Sequence, residues 1–267
     1  MRNILSLATS LLLTLAPFLP QPVRAAPAAQ EIGIVVMHGK GGSPGRHVVA
    51  LADALEKEGF LVANIEMPWS FKRHYDIELD AAVGEVTRAL DAMRAKGAKK
   101  LFVSGHSQGG IFALLYGGRH KVDGVAVIVP GGAVDSMVYL NAVGGHVARA
   151  RQMIAEGRGG EKAEFADYEG SRGTSPLTTT ASSYLSWFDP NGAHTALVFA
   201  RVMPGVPVLY VTATRDYPGL LKFRQQHFGA IPPHPLKRMP EVDSDHLNAP
   251  AAAAPEVVRW VREVAAQ

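Results

Sequence analysis

The sequence predicts an α/β fold: a mostly parallel central sheet of about six strands with helices on both faces. Three observations carry this. Short apolar runs recur without polar alternation, as strands buried on both faces require. Segments with apolar residues at helical spacing lie between them. Glycine-rich stretches stand where strands end. The composition agrees, since 47% hydrophobic and 19% charged residues describe a globular chain, and 267 residues suffice for one ample core.

The first segment, residues 1–25, reads as a secretory signal peptide. Arg2 precedes an apolar run from Ile4 to Leu19, and Val23-Arg24-Ala25 forms a small-residue exit with a cut expected after Ala25. Prolines 17, 20 and 22 interrupt the run too early for a membrane-spanning helix. An exported chain without cysteine suits a bacterial periplasm or secretion, and no membrane association is expected once the leader is gone. Losing Arg2 and Arg24 leaves 25 basic against 24 acidic residues, so there is no electrostatic footprint for nucleic acid. The absence of cysteine excludes disulfide frameworks, thiolate nucleophiles and thiolate metal sites.

The remaining chain, 26–267, is read as one domain. Ile32 to Met37 (IGIVVM) is a buried strand that runs into His38-Gly39-Lys40-Gly41-Gly42. Val48 to Glu58 is a helix closed by Gly59, Phe60 to Ile65 the second strand, and Asp76 to Lys96 the second helix. Leu101 to Val103 is a third strand that leads through Gly105-His106-Ser107-Gln108-Gly109 into a helix over Ile111 to Tyr116. Val125 to Val129 and Val208 to Val211 are the fourth and fifth strands, and a sixth is placed around Leu236 to Met239. Residues 131–204 break this rhythm, because they hold no strand-like run. They carry a helix near Val138 to Glu156, a polar section and an aromatic group, and are read as a cap inserted over one end of the sheet.

Gly105 to Gly109 matches G-x-S-x-G in its required setting of strand, sharp turn and helix. The glycines permit a turn tight enough to lift the Ser107 hydroxyl above the sheet, and the helix start offers free N–H groups to a developing oxyanion. The glycine-rich loop after the first strand supplies a second donor; the pair is assigned to Lys40 and Gln108, with Gly41 as the substitute for Lys40. Neither G-x-G-x-x-G nor the G-K-[ST] ending of a phosphate-binding loop is present. His38 is expected to brace this loop by hydrogen bonds.

On GHSQGG, HGKGG and the order of strands and helices, the chain resembles the α/β-hydrolase superfamily from Ile32 to its last helix. The resemblance implies the chain order nucleophile, acid, histidine, and so Ser107, Asp216 and His246. Asp216 follows the fifth strand, and His246 lies before the closing helix. Asp243 and Asp245 are rival acids too near His246 in sequence, and His227 and His234 are rival bases. The sheet lacks the family's first two strands, and the cap matches no assigned lid. The implied activity is cleavage of a small-molecule carboxylic ester through an acyl-enzyme, with no cofactor and no metal. Thioester and amide substrates stay open, as do an inactive binding protein of the same fold and cofactor-free peroxidation. Trp69, Tyr184, Trp187 and Phe188 are candidates for an acyl or alcohol pocket, and Arg149, Arg151 and Arg158 give the cap a basic bias.

Overall fold

The computed structural model describes residues 27–267, and the leader assigned above lies outside them. Six strands form one parallel sheet: β1 (Ile32–Met37), β2 (Leu61–Ile65), β3 (Lys100–His106), β4 (Gly124–Ile128), β7 (Val208–Arg215) and β8 (Glu241–Asp245). Their spatial order is β2-β1-β3-β4-β7-β8. The chain first steps outward from β1 to β2, then returns to the other side of β1 for β3. Ligands of open α/β sheets sit at the carboxyl ends of strands where the order reverses in this way. In the register, Met37 lies beside both Ile65 and Gly105, and His106 beside Ile128. The loops after β1, β2 and β3 therefore leave the sheet at one level.

The continuous apolar reading of β1 has a direct cause, since every residue of the strand is buried. Ile34 and Val36 pack with Leu51 and Leu55 of α1 (Val49–Lys57) and with Val257 and Trp260 of α7 (Ala249–Ala265). Val35 and Met37 face the opposite layer, with Val86 and Leu90 of α2 (Leu79–Ala95) and Phe112 of α3 (Gln108–Arg119). Each such side chain, fully buried, contributes about 1.5 to 3 kcal/mol relative to exposure. Helices thus cover both faces, as the alternation predicts.

Two expectations are corrected. The sixth strand is not at Leu236 to Met239, where Arg238 makes only an isolated bridge to Leu209; it is β8, Glu241–Asp245. An edge strand with one solvated side needs no apolar run, and EVDSD shows none. The second correction concerns residues 131–204. Between α4 (Met137–Ala155) and α5 (Ala181–Phe188), β5 (Lys162–Glu169) and β6 (Gly173–Thr180) pair as an antiparallel hairpin. Its Thr-rich second strand carries Pro176, tolerated because a two-stranded ribbon consists of edges. A short 3-10 helix at Ala196–Val198 leads on to β7, and α6 (Pro218–Ala230) follows it.

Candidate active site

Ser107 stands between β3 and α3 with φ 52° and ψ −118°, in the left-handed region that costs a non-glycine residue roughly 1 to 3 kcal/mol. Two glycines make this turn possible. A Cβ on Gly105 would lie 2.1 Å from the Gly109 carbonyl oxygen, and one on Gly109 would lie 2.4 Å from that of Met37. The Ser107 N–H donates to the Ile128 oxygen at 3.0 Å, which ties the turn to β4.

Asp216, His246 and Ser107 form one hydrogen-bonded file. His246 Nδ1 lies 2.6 Å from Asp216 Oδ1, and His246 Nε2 lies 3.0 Å from Ser107 Oγ. Because the carboxylate accepts, Nδ1 carries the proton and Nε2 presents its lone pair to the hydroxyl. Asp216 is itself held by the Tyr217 N–H at 2.7 Å, and the Tyr217 ring stacks on His246 at 4.3 Å. His106 supports the file from below, donating from Nε2 to the His246 carbonyl oxygen at 2.8 Å. Complete burial, with the neighbouring His246 adding to it, lowers the His106 pKa to about 3, so this ring stays neutral.

The rival residues are engaged elsewhere. Asp243 pairs with Arg215 at the surface, and Asp245 accepts from the Asn248 N–H at 2.8 Å. His227 stacks on Phe199, and His234 Nδ1 accepts from the Leu236 N–H.

The loop after β1 packs directly on the nucleophile: a Cβ on Gly39 would lie 3.2 Å from that of Ser107. His38 braces this loop, with Nε2 accepting from the Met67 N–H at 3.0 Å and Nδ1 donating to the Gly39 oxygen at 2.8 Å. Trp69 Nε1 donates to the His38 oxygen at 2.8 Å. The Gly41 N–H is occupied by the Trp69 oxygen at 2.9 Å, which removes Gly41 as an alternative oxyanion donor. The N–H groups of Lys40 and Gln108 have no acceptor among the described residues.

A small cavity of about 30 Å³ adjoins Ser107, lined also by Gly39, Lys40, His246, Arg46 and Arg172. Beside it, sharing Lys40 and Gly41, is a second cavity of about 170 Å³ walled by Trp69, Phe71, Tyr75, Asp167 and Leu177. Trp69 thus lines a pocket next to the serine. Tyr184, Trp187 and Phe188 line neither cavity, which corrects their assignment as pocket residues. Their rings are buried in the packing of α5 against the hairpin and the loop before α2. Tyr184 donates to the Ala166 oxygen at 2.7 Å and Trp187 to the Ile77 oxygen at 2.8 Å. Phe71, Tyr75 and Asp167 carry no sequence signal of this role, because nothing local marks an isolated aromatic or aspartate as a wall of a distant site. Arg151 pairs with Asp189 and Arg158 with Glu156 and Glu161, while Arg149 donates to the Glu164 oxygen; none of the three lines either cavity.

Among the described residues no cluster of three or more His, Asp or Glu is arranged to hold a metal, and no helix is long and apolar enough to cross a membrane.

A parallel sheet of this order with a strained serine between β3 and α3 defines the α/β-hydrolase fold, and solved structures agree. The lipolytic enzymes LipS and LipT, of metagenomic origin, are represented at a TM-score of 0.60 and 16% identity, over 90% of this chain and 100% of that one. A monoacylglycerol lipase of Paleococcus ferrophilus gives 0.59 and 18%, over 87% and 94%. A thermostable carboxyl esterase of Bacillus coagulans gives 0.60 and 12%, over 91% and 92%. The chain has the α/β-hydrolase fold. No family model and no curated protein matches its sequence.

Proposed function

We propose that this protein is a serine hydrolase that cleaves a carboxylic ester through an acyl-enzyme intermediate. The observation that carries the reading is the file from Asp216 through His246 to Ser107, closed at 2.6 and 3.0 Å. His246 Nε2 takes the hydroxyl proton as Ser107 Oγ bonds to the ester carbonyl carbon, and Asp216 holds the imidazole and stabilises the imidazolium. The N–H groups of Lys40 and Gln108 receive the negative charge on the former carbonyl oxygen. Each such donor is worth about a hundred- to a thousandfold in rate. The carbon–oxygen bond to the alcohol then breaks, and His246 returns the proton to the departing oxygen. Water attacks the acyl-serine by the same proton route, releasing the acid and restoring Ser107.

An ester substrate is supported by the fold neighbours, which are described as lipolytic enzymes, a monoacylglycerol lipase and a carboxyl esterase. The partly apolar 170 Å³ cavity beside the serine suits a short acyl or alcohol group. The test is fluorophosphonate labelling read by intact mass, alongside hydrolysis of p-nitrophenyl butyrate. Wild type should take one adduct, and Ser107→Ala none. Ser107→Ala and His246→Ala should each lose on the order of a thousandfold or more in kcat/KM. A folded wild type that takes no adduct and turns over no ester overturns this reading in favour of a binding protein.

A further inference from the structure

The loop that carries Lys40 contains Gly39, Gly41 and Gly42, so its backbone has little intrinsic stiffness. An oxyanion donor, however, works only when its N–H is held in place before charge develops. Beyond the His38 brace and the Gly41 bond to Trp69, the Lys40 side chain supplies a further tether. Its Nζ lies 2.6 Å from Asp167 Oδ1 and 3.0 Å from the Tyr168 carbonyl oxygen, both on strand β5 of the cap hairpin, 127 and 128 residues away. The pair is largely buried, at 14% and 12% side-chain exposure.

The same carboxylate reaches Gln108 through a relay. Gln108 Nε2 donates to the Tyr75 hydroxyl at 3.2 Å, and that hydroxyl donates to Asp167 Oδ2 at 3.3 Å. Oδ1 also receives the Tyr139 hydroxyl at 3.3 Å and the Tyr168 N–H at 2.7 Å. Burial, reinforced by the Asp167 charge, pushes the Tyr75 and Tyr139 pKa values well above the usual tyrosine range, so both remain donors. Tyr75 is itself fixed under strain. His74 and Tyr75 have φ of 48° and 54°, and the Tyr75 carbonyl oxygen accepts from Thr179 Oγ1 of β6 at 2.7 Å.

Resting on the proposed esterase reading, we infer that Asp167 is a positioning residue of the oxyanion site: one carboxylate, delivered by the cap hairpin, holds both residues whose N–H groups flank Ser107. It makes no hydrogen bond to Ser107 or His246 and acts through Lys40 and Tyr75. The cap therefore completes the catalytic machinery as well as covering it.

The experiment compares Asp167→Asn, Lys40→Met, the double variant and Lys40→Arg with wild type; all four keep the Lys40 backbone N–H. Three readouts are taken: kcat and KM on p-nitrophenyl butyrate, inhibition by a trifluoromethyl ketone that forms an oxyanion on Ser107, and inhibition by the uncharged ether isostere of the ester. Each single loss is expected to lower kcat by roughly 10- to 100-fold with KM within about threefold. Trifluoromethyl ketone affinity should fall by a similar factor and ether affinity should hold. The double variant should lose no more than the worse single variant, and Lys40→Arg should recover most of the rate. If a single variant fails to fold around its unpaired charge, the double variant, which removes both charges, decides by the same readouts.

A rise in KM with kcat preserved would overturn the inference, because Asp167 would then merely line the 170 Å³ cavity. Wild-type kinetics in Asp167→Asn, or losses that multiply in the double variant, would overturn it as well. Failure of wild type to take the fluorophosphonate overturns the esterase reading and this inference together. Labelling with an indifferent Asp167→Asn overturns this inference alone.

Discussion

Single residues in this protein are constrained by a few tenths of an ångström, and glycine shows how position decides the cost. At Gly105 a methyl group would lie 2.1 Å from the Gly109 carbonyl oxygen, in backbone that cannot yield without opening the turn that carries Ser107. At Gly145, on α4, it would meet nothing within 4 Å. The same substitution therefore has opposite signs. Gly145→Ala should stabilise the protein by about 0.5 to 1 kcal/mol through helix propensity and a less flexible unfolded chain. Gly105→Ala should lower stability by several kcal/mol, with loss of fluorophosphonate labelling in whatever fraction folds. Urea denaturation followed by circular dichroism measures both, and a Gly105→Ala as stable and reactive as wild type would contradict the packing described for the turn.

Among the elements, the β5–β6 hairpin is held by aromatic burial more than by its two-stranded ladder, which is marginal on its own. Phe165 of β5 is 1% exposed and stacks on Tyr184 of α5 at 4.2 Å, and Tyr184 stacks on Phe188 at 4.4 Å. Phe71, by contrast, is 61% exposed although it walls the larger cavity. Phe165→Ala should cost about 3 to 5 kcal/mol, as large-to-small changes in a packed core do. Phe71→Ala should cost less than about 1 kcal/mol. Equal losses in urea titrations would mean that the hairpin is not anchored through its aromatic side chains. The helical spacing near Val138 to Glu156 marks α4 within a residue at each end. The hairpin has no such mark, because KAEFADYE and GTSPLTTT are too polar to signal strands; their pairing depends on which faces α4 and α5 leave to be covered.

At the scale of the whole molecule, two buried histidines link stability to pH. Burial lowers the pKa of His106 and of His194 from 6.5 to about 3, with the charge on Lys40 adding to the effect at His194. Both rings are thus neutral in the folded protein, whereas the unfolded chain binds protons at these positions below about pH 6.5. The unfolded state then holds more protons, so stability is present above that pH and is lost as pH falls toward 3. Each proton contributes a slope of up to about 1.4 kcal/mol per pH unit within the window. His194→Gln, which removes one titrating site, should show a shallower fall in Tm between pH 7 and 4 than wild type. Parallel curves would show that His194 does not carry this dependence.

The α/β architecture is legible along the chain, because strands buried on both faces must be apolar throughout and the helices between them must carry one apolar stripe. So is Ser107 as the residue on the turn after β3, since Gly105 and Gly109 lie within two positions of it and their requirement is local. Asp216 and His246 follow from the chain order that the α/β-hydrolase resemblance implies, although the position of β8 does not, because an edge strand leaves no hydrophobic signature. The oxyanion loop and the pocket walls are set by packing between distant parts of the chain. That Gly41 gives its N–H to Trp69, that Tyr184 stacks between Phe165 and Phe188 while Trp187 packs on Trp69 and Phe112, and that Asp167 reaches Lys40 across 127 residues are long-range contacts. Such contacts depend on how the layers pack, and no spacing along the chain encodes which buried carboxylate will meet which lysine.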